Sequence, residues 1–244
     1  MAENTGIGDR MKGQYENRTR FMLPRRTYSI VRVDGKAFHT FTRKMERPFD
    51  RDLMTIMDAT AQFMCSEMQG AKLAYVQSDE ISVLLTDFET ITTDAWFDGN
   101  VQKIASLSAS LATSEFNRMA EWGKPAYFDA RVFTIPDCIE VENYFIWRQQ
   151  DATRNSIQMA SQANFSPKRL HGKSCDECQE MLWAEKGINW NYYPARCKRG
   201  AVVARKEEAW MIDAEPPVFT QDRQYLQALI PELPHREPKP QGGP

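Results

Sequence analysis

The chain has 244 residues and a mass of 28.2 kDa, enough for one large domain or two small ones. Hydrophobic residues are 42%, charged residues 26% and the net charge −2, an ordinary soluble composition that excludes disorder, collagen and coiled coil as global descriptions. No apolar run approaches the roughly 18 residues of a membrane span, and Met1-Ala2-Glu3-Asn4 opens no secretory segment. In chain order, a polar and basic stretch over residues 1–23 comes first. Thr27 to Asp34 is rich in β-branched residues and stops at Gly35, which predicts a strand. Leu53, Met54, Met57, Ala61 and Met64 then recur at helical spacing behind Asp50, a suitable cap. Leu73 to Leu85 reads as two strands around the polar pair Asp79-Glu80, a hairpin. Asn100 to Trp122 is helical, and Phe128 to Pro136 is a strand ended by proline. Helices follow over Ile139–Ala163 and Ser174–Lys186, the second closed by Gly187, with a last strand over Ala201–Ala204.

This order, β-α-ββ-α-β, predicts an α+β, ferredoxin-like split βαβ: an antiparallel sheet backed by two helices, with further helices after it. We divide the chain into a palm-like catalytic region over 1–137, a helical, basic region over 138–210 packed with it, and a tail over 211–244. From Pro231 the tail carries five prolines and Gly242-Gly243, a composition expected to be disordered. Five cysteines, an odd number in a long chain, fit a reducing cytoplasm better than a disulfide scaffold.

The charge is segregated. Residues 1–49 hold 11 Lys+Arg and 5 Asp+Glu, residues 50–147 hold 6 and 16, residues 148–206 hold 11 and 5, and residues 207–244 hold 3 and 7. Two basic blocks around an acidic one suit a polyanion held against a carboxylate site. In a split βαβ the first and third strands lie side by side, so Asp34 and Asp79 would meet at one edge of the sheet. Paired carboxylates there can hold two divalent ions, and Gly35 would let the backbone approach a metal or phosphate. The alternative is a plain Asp-Gly turn and a hairpin tip, but a two-residue tip would usually carry Gly or Asn. Arg32, Lys36 and His39 flank Asp34, and Lys103 lies on the second helix; such groups could hold a triphosphate, or be solvated surface charges.

Other signals are weaker. Gly172-Lys173-Ser174 resembles the end of a phosphate loop, but Pro167 stands where the first glycine belongs. His171, Cys175, Cys178 and Cys197 could bind zinc, or the cysteines could simply pack. Trp147-Arg148-Gln149-Gln150-Asp151 could stack on and bond a nucleotide, or place Trp147 in the core of an amphipathic helix.

Six stretches together resemble the tRNA-His guanylyltransferase family, and more closely its 3′-to-5′ RNA polymerase relatives that repair tRNA. They are Val31–Phe41, Ala74–Ser82, Phe128–Val132, Trp147–Asp151, Gly187–Asn191 and Lys198–Gly200. The resemblance implies a polymerase-type palm and nucleotide addition to the 5′ end of tRNA. It implies two magnesium ions on Asp34, the Gly35 carbonyl and Asp79, with Glu80 a further catalytic candidate. It implies ATP and GTP as substrates, with nucleotide contacts from Arg32, Asp34, Gly35, Lys36, Ala37, Phe38, His39, Ser78, Asp79 and Lys103. Arg131, Arg148, Arg154, Asn155, Lys198 and Arg199 would hold triphosphate or tRNA, and the assembly would be a homotetramer. The guanylyltransferases proper carry His-Ile-Asn-Asn where this chain has Thr153-Arg154-Asn155-Ser156. That departure favours template-directed repair of 5′-truncated tRNA. The alternatives are addition of G at position −1 of tRNA-His, nucleotide cyclisation on a similar palm, and a non-catalytic RNA-binding protein.

Overall fold

The computed structural model describes residues 6–234. Helix α1 (Gly6–Gln14) comes first, then strand β1 (Tyr28–Gly35), the short α2 (Phe38–Phe41) and α3 (Arg51–Glu67). Strands β2 (Ala71–Gln77) and β3 (Glu80–Leu85) form a hairpin, followed by α4 (Val101–Met119) and β4 (Phe128–Ile135). The helices α5 (Cys138–Asn164), α6 (Pro167–Leu170), α7 (Cys175–Lys186) and α8 (Ala195–Arg199) precede β5 (Ala201–Lys206), β6 (Ala209–Asp213) and α9 (Arg223–Gln227).

One six-stranded sheet runs β4-β1-β3-β2-β5-β6, antiparallel at every pairing. The first and third strands are neighbours, as the element order predicted. Side chains alternate across the pleat. Val31 and Val33 of β1 face a core shared with Met57, Ala61 and Met64 of α3 and Phe116 of α4. Tyr28 and Ile30 face a second core with Val141, Tyr144 and Phe145 of α5. By the same alternation Arg32 and Asp34 point to the α5 side.

The cap predicted at Asp50 and the stop predicted at Gly187 form, and Asn100 and Ser174 add caps that the sequence reading did not name. Asp50 Oδ1 accepts from the Leu53 N–H at 2.9 Å, and Asn100 Oδ1 from Lys103 N–H at 3.0 Å. Ser174 and Glu177 close a reciprocal capping box on α7, and Gly187 ends it at φ 66°.

The structure departs from the sequence reading at four places. Glu80 belongs to β3, so the hairpin turn is Ser78-Asp79 rather than Asp79-Glu80. Strands β5 and β6 extend the sheet, so residues before and after 138 share it; β6 was missed because its turn uses Glu207 at φ 57° in place of glycine. Helices α1 and α9 were also missed: α1 carries three glycines, and α9 has five residues. Finally, the start of the proline-rich tail is docked. The Tyr28 hydroxyl donates to the Pro231 carbonyl at 2.7 Å, and Leu233 packs on the second core. The remainder, 235–244, lies outside the described residues.

Candidate active site

At one end of the sheet the last residues of β1 meet the β2–β3 turn. The Gly35 N–H donates to the Asp79 carbonyl at 3.1 Å, which fixes the turn against the strand end. Ser78 sits at φ 48° and Ala37 at φ 56°, left-handed conformations that cost a non-glycine residue about 1–3 kcal/mol and cluster at functional sites. Asp79 is pushed up to about 6, first by burial and then by the charge of Asp34. Burial, then Asp129, raises Asp34, while Arg32, Arg131 and Arg148 work against the rise. Among the described residues neither carboxylate has a cation at ion-pair distance, although their neighbours do. Two hard oxygen donors, half-desolvated and repelling each other, are relieved by a divalent cation, so the pair fits a magnesium site.

Glu80 has a different fate. Its two carboxylate oxygens accept from Arg148 Nε and Nη2, both at 2.8 Å, and Arg32 Nε lies 4.0 Å away. Arg148, itself buried, also donates to Asp151 at 2.9 Å. The charges of Glu80 and Arg148 are therefore satisfied inside the protein, where they fix α5 to β3. Arg32 Nε is left buried without a hydrogen-bond partner.

Beyond Asp34 the chain turns sharply. A Cβ at Gly35 would lie 2.2 Å from the Phe38 ring, so glycine is required there by packing within the chain. Phe38 is buried against Phe41, Phe116 and Phe128, a cluster in which each ring contributes on the order of 1.5–3 kcal/mol. It anchors the segment, while Lys36, Ala37 and His39 are exposed around it. His39 Nε2 lies 3.0 Å from the Thr40 hydroxyl. A cleft of about 320 Å³ opens here, lined by Phe38, His39, Ser78, Asp79 and, from α5, Met159 and Gln162. A smaller cleft adjoins it through Ser78 and Met159 and brings in Gln77 and Asn155. Met159 and Gln162 were not legible in sequence, because nothing local marks which turn of α5 reaches the cleft.

The remaining expected residues are dispersed. Arg131 is exposed on β4, opposite Arg32 in register and 3.7 Å from Asp129. Arg154 is exposed and paired with Asp151. Lys198 stands 5.5 Å over the Trp190 ring, its ammonium lowered by burial and by Arg199. Arg199 donates to the Pro216 carbonyl at 3.1 Å. Lys103 is not brought to the acidic pair: it lies on the first turn of α4, and Ile104 beside it lines a crevice with Leu85, at the opposite end of β3 from Glu80. Among the described residues no three His, Cys, Asp or Glu side chains gather as a metal group, so His171, Cys175, Cys178 and Cys197 do not converge, and the five cysteines are unpaired.

With this geometry in place, comparison is informative. The family model described as tRNAHis guanylyltransferase, Thg1, matches residues 8–136. The tRNA(His) guanylyltransferase of Saccharomyces cerevisiae is 32% identical over 205 residues, 74% of this chain and 84% of its own length. That of Schizosaccharomyces pombe is 30% identical over 220 residues, 81% of this chain and 80% of its own. Among solved structures, a bacterial Thg1-like protein in complex with ATP superposes with a TM-score of 0.87 at 47% identity, covering 91% of this chain and 99% of that one. A bacterial Thg1-like protein in complex with GTP gives 0.81 at 43%, covering 92% and 99%.

Proposed function

This chain belongs to the tRNAHis guanylyltransferase family, and from that premise we propose that it is a nucleotidyltransferase that adds nucleotides to the 5′ end of tRNA in the 3′-to-5′ direction. The observation that carries the reading is the pair Asp34 and Asp79, half-buried and, among the described residues, without a cation at ion-pair distance, beside a cleft of about 320 Å³ that Asp79 lines. The order β4-β1-β3-β2, with α3 and α4 on one face, supports a ferredoxin-like palm for the first four strands.

The reaction has two steps. The 5′-phosphate of the RNA attacks the α-phosphorus of ATP, pyrophosphate leaves, and an adenylated end results. The 3′-hydroxyl of an incoming GTP or other nucleotide then attacks that 5′ phosphorus, and AMP leaves. Asp34, Asp79 and the Gly35 carbonyl would hold two magnesium ions, which when bound supply charge against the phosphate oxygens. Among the described residues no third His, Cys, Asp or Glu joins them as a ligand group. Lys36, Ala37, His39 and Ser78 line the turn that would receive the nucleotide, with Phe38 as its anchor. Arg32 and Arg131, one pleat below the acids, offset phosphate charge. Arg148 acts through Glu80 to hold the hairpin in place. Lys198, Arg199, Arg154 and Asn155 would contact the tRNA, and Lys103 would serve a tRNA spanning subunits of a homotetramer. No helix among the described residues is long and apolar enough to cross a membrane, and unpaired cysteines suit a reducing cytoplasm.

Template-directed repair of 5′-truncated tRNA is the reading we favour. Thr153-Arg154 stands in place of the guanylyltransferase His-Ile, and Watson–Crick pairing would supply selectivity that the protein then need not. The second reading, addition of G to full-length tRNA-His, is supported by the yeast relatives' names. Catalytic efficiency on a tRNA lacking its first nucleotide, compared with full-length tRNA-His, decides. Repair is overturned if full-length tRNA-His is preferred by about tenfold, or 1.4 kcal/mol of barrier.

A further inference from the structure

The conjunction of Trp147, Arg148 and Glu80 is not accounted for by the chemistry above. Trp147 is not in the core: it is 51% exposed on α5, although the residue after it is buried. Its ring is held in place. The Arg148 guanidinium lies 4.3 Å from the ring centroid, and Tyr144 packs edge-on at 5.9 Å. Tyr144 in turn packs on Phe133 of β4 at 5.7 Å and shares a 2.8 Å hydrogen bond with Ser82 of β3. The same guanidinium bonds Glu80, the neighbour of Asp79. Because Glu80 and Asp151 neutralise it, the cation stays stacked on the ring instead of turning to solvent.

Trp147 thus overlooks the β4 margin of the sheet, one guanidinium away from the residue that follows Asp79. Arg131 on β4 and Arg154, two turns along the same flank of α5, are 54% and 60% exposed nearby. The nucleotide cleft meets α5 at Met159 and Gln162, about 18 and 23 Å further along the helix axis from Trp147 at 1.5 Å per residue. Trp147 lines neither that cleft nor the smaller one beside it. The occupant is a second ligand with a flat aromatic face and phosphates on its flanks.

We propose that Trp147 is the stacking platform for the terminal base pair of the tRNA acceptor duplex, setting the 5′ end against Asp34 and Asp79, with Arg131 and Arg154 beside the duplex phosphates. This rests on the tRNA-end reading above. The end of a duplex is a flat π-surface of any sequence, so an indole holds it without choosing among tRNAs, while the arginines position without reading sequence.

The test uses the full chain and a 5′-truncated tRNA with 2-aminopurine in the terminal base pair. Binding to the wild-type protein quenches the fluorophore. In Trp147→Ala the quench is lost and KM for tRNA rises about 5- to 150-fold, the range for one lost base–aromatic stack, while ATP affinity without tRNA is unchanged. Trp147→Phe and Trp147→Leu give a second comparison that preserves bulk: Phe keeps the quench and Leu loses it. The proposal is overturned if Ala keeps the quench with KM within about twofold of wild type, or if Phe and Leu behave alike. It is also overturned if the defect follows dissociation of an oligomer seen by light scattering, which would make Trp147 a protein contact. Quenching needs no turnover, so a wild-type protein that quenches yet adds no nucleotide defeats the reaction and leaves the platform standing.

Discussion

Replacing Asp79 by asparagine should inactivate the enzyme and stabilise its metal-free form. Asp79 titrates near 6 in the folded chain against an ordinary 3.8, mainly because burial disfavours its charge. The folded protein therefore holds that proton more tightly than the unfolded chain does. As pH rises from about 4 to 6 the unfolded state has already lost the proton and the folded state is giving it up, so stability falls through that window and stays lower above it. About two pKa units at 1.36 kcal/mol each is roughly 3 kcal/mol. Asp34 shares that repulsion, so we expect about 1–3 kcal/mol of gain for Asp79→Asn above pH 7, and a melting midpoint higher by about 2–4 °C per kcal/mol. The assay is thermal unfolding in EDTA at pH 8 and pH 4. The variant should melt several degrees above wild type at pH 8 and together with it at pH 4. Millimolar magnesium should raise the wild-type midpoint and leave the variant's unmoved, because only the former gains by binding. A variant no more stable than wild type at pH 8 in EDTA would refute the claim that Asp79 is held at a cost to the fold.

Three further outcomes are expected. Glu80→Gln and Arg148→Met should each cost about 2–4 kcal/mol in urea unfolding, since either strips a buried charge of its bidentate partner and leaves Arg148 only Asp151, or Glu80 only the more distant Arg32, and the double variant should cost less than their sum. Replacing Lys198 and Arg199 with alanine should weaken tRNA binding and flatten its dependence on salt, whereas removing Lys239 from the tail should do neither. Light scattering at micromolar concentration should give four times the 28.2 kDa chain mass, and a monomer would refute the tetramer.

Much of this was legible in the sequence, for local reasons. Strands β1 to β4 are β-branched and end at Gly35, a polar turn or Pro136, and α3 and α4 announce themselves by side-chain caps. Local pattern failed where packing decides. Strand β6 pairs only with β5 and turns on a glutamate, so alternation and turn residues alike were uninformative. Gly35 was expected to admit a ligand; its hydrogen makes room for Phe38, a packing requirement visible only once the ring is placed. The meeting of Asp34 and Asp79 followed from topology, but the partner of Glu80 lies 68 residues away on a helix whose docking face the sequence does not declare.

The sheet register explains why two adjacent carboxylates have separate tasks. Across the end of the sheet, on the α5 face, stand Gln77, Glu80, Asp34 and Asp129; two residues down stand Tyr75, Ser82, Arg32 and Arg131. A row of three acids above a pair of arginines would repel itself if every acid stayed ionised. Arg148 reaches down from α5 and removes Glu80 from that sum, while Asp129 remains at the solvated edge. What is left is the central pair, Asp34 with Asp79 from the turn, desolvated and without a cation. The acids at this end of the sheet are thereby divided into charge answered within the fold and charge left for a ligand, and only the second kind can do work on a phosphate.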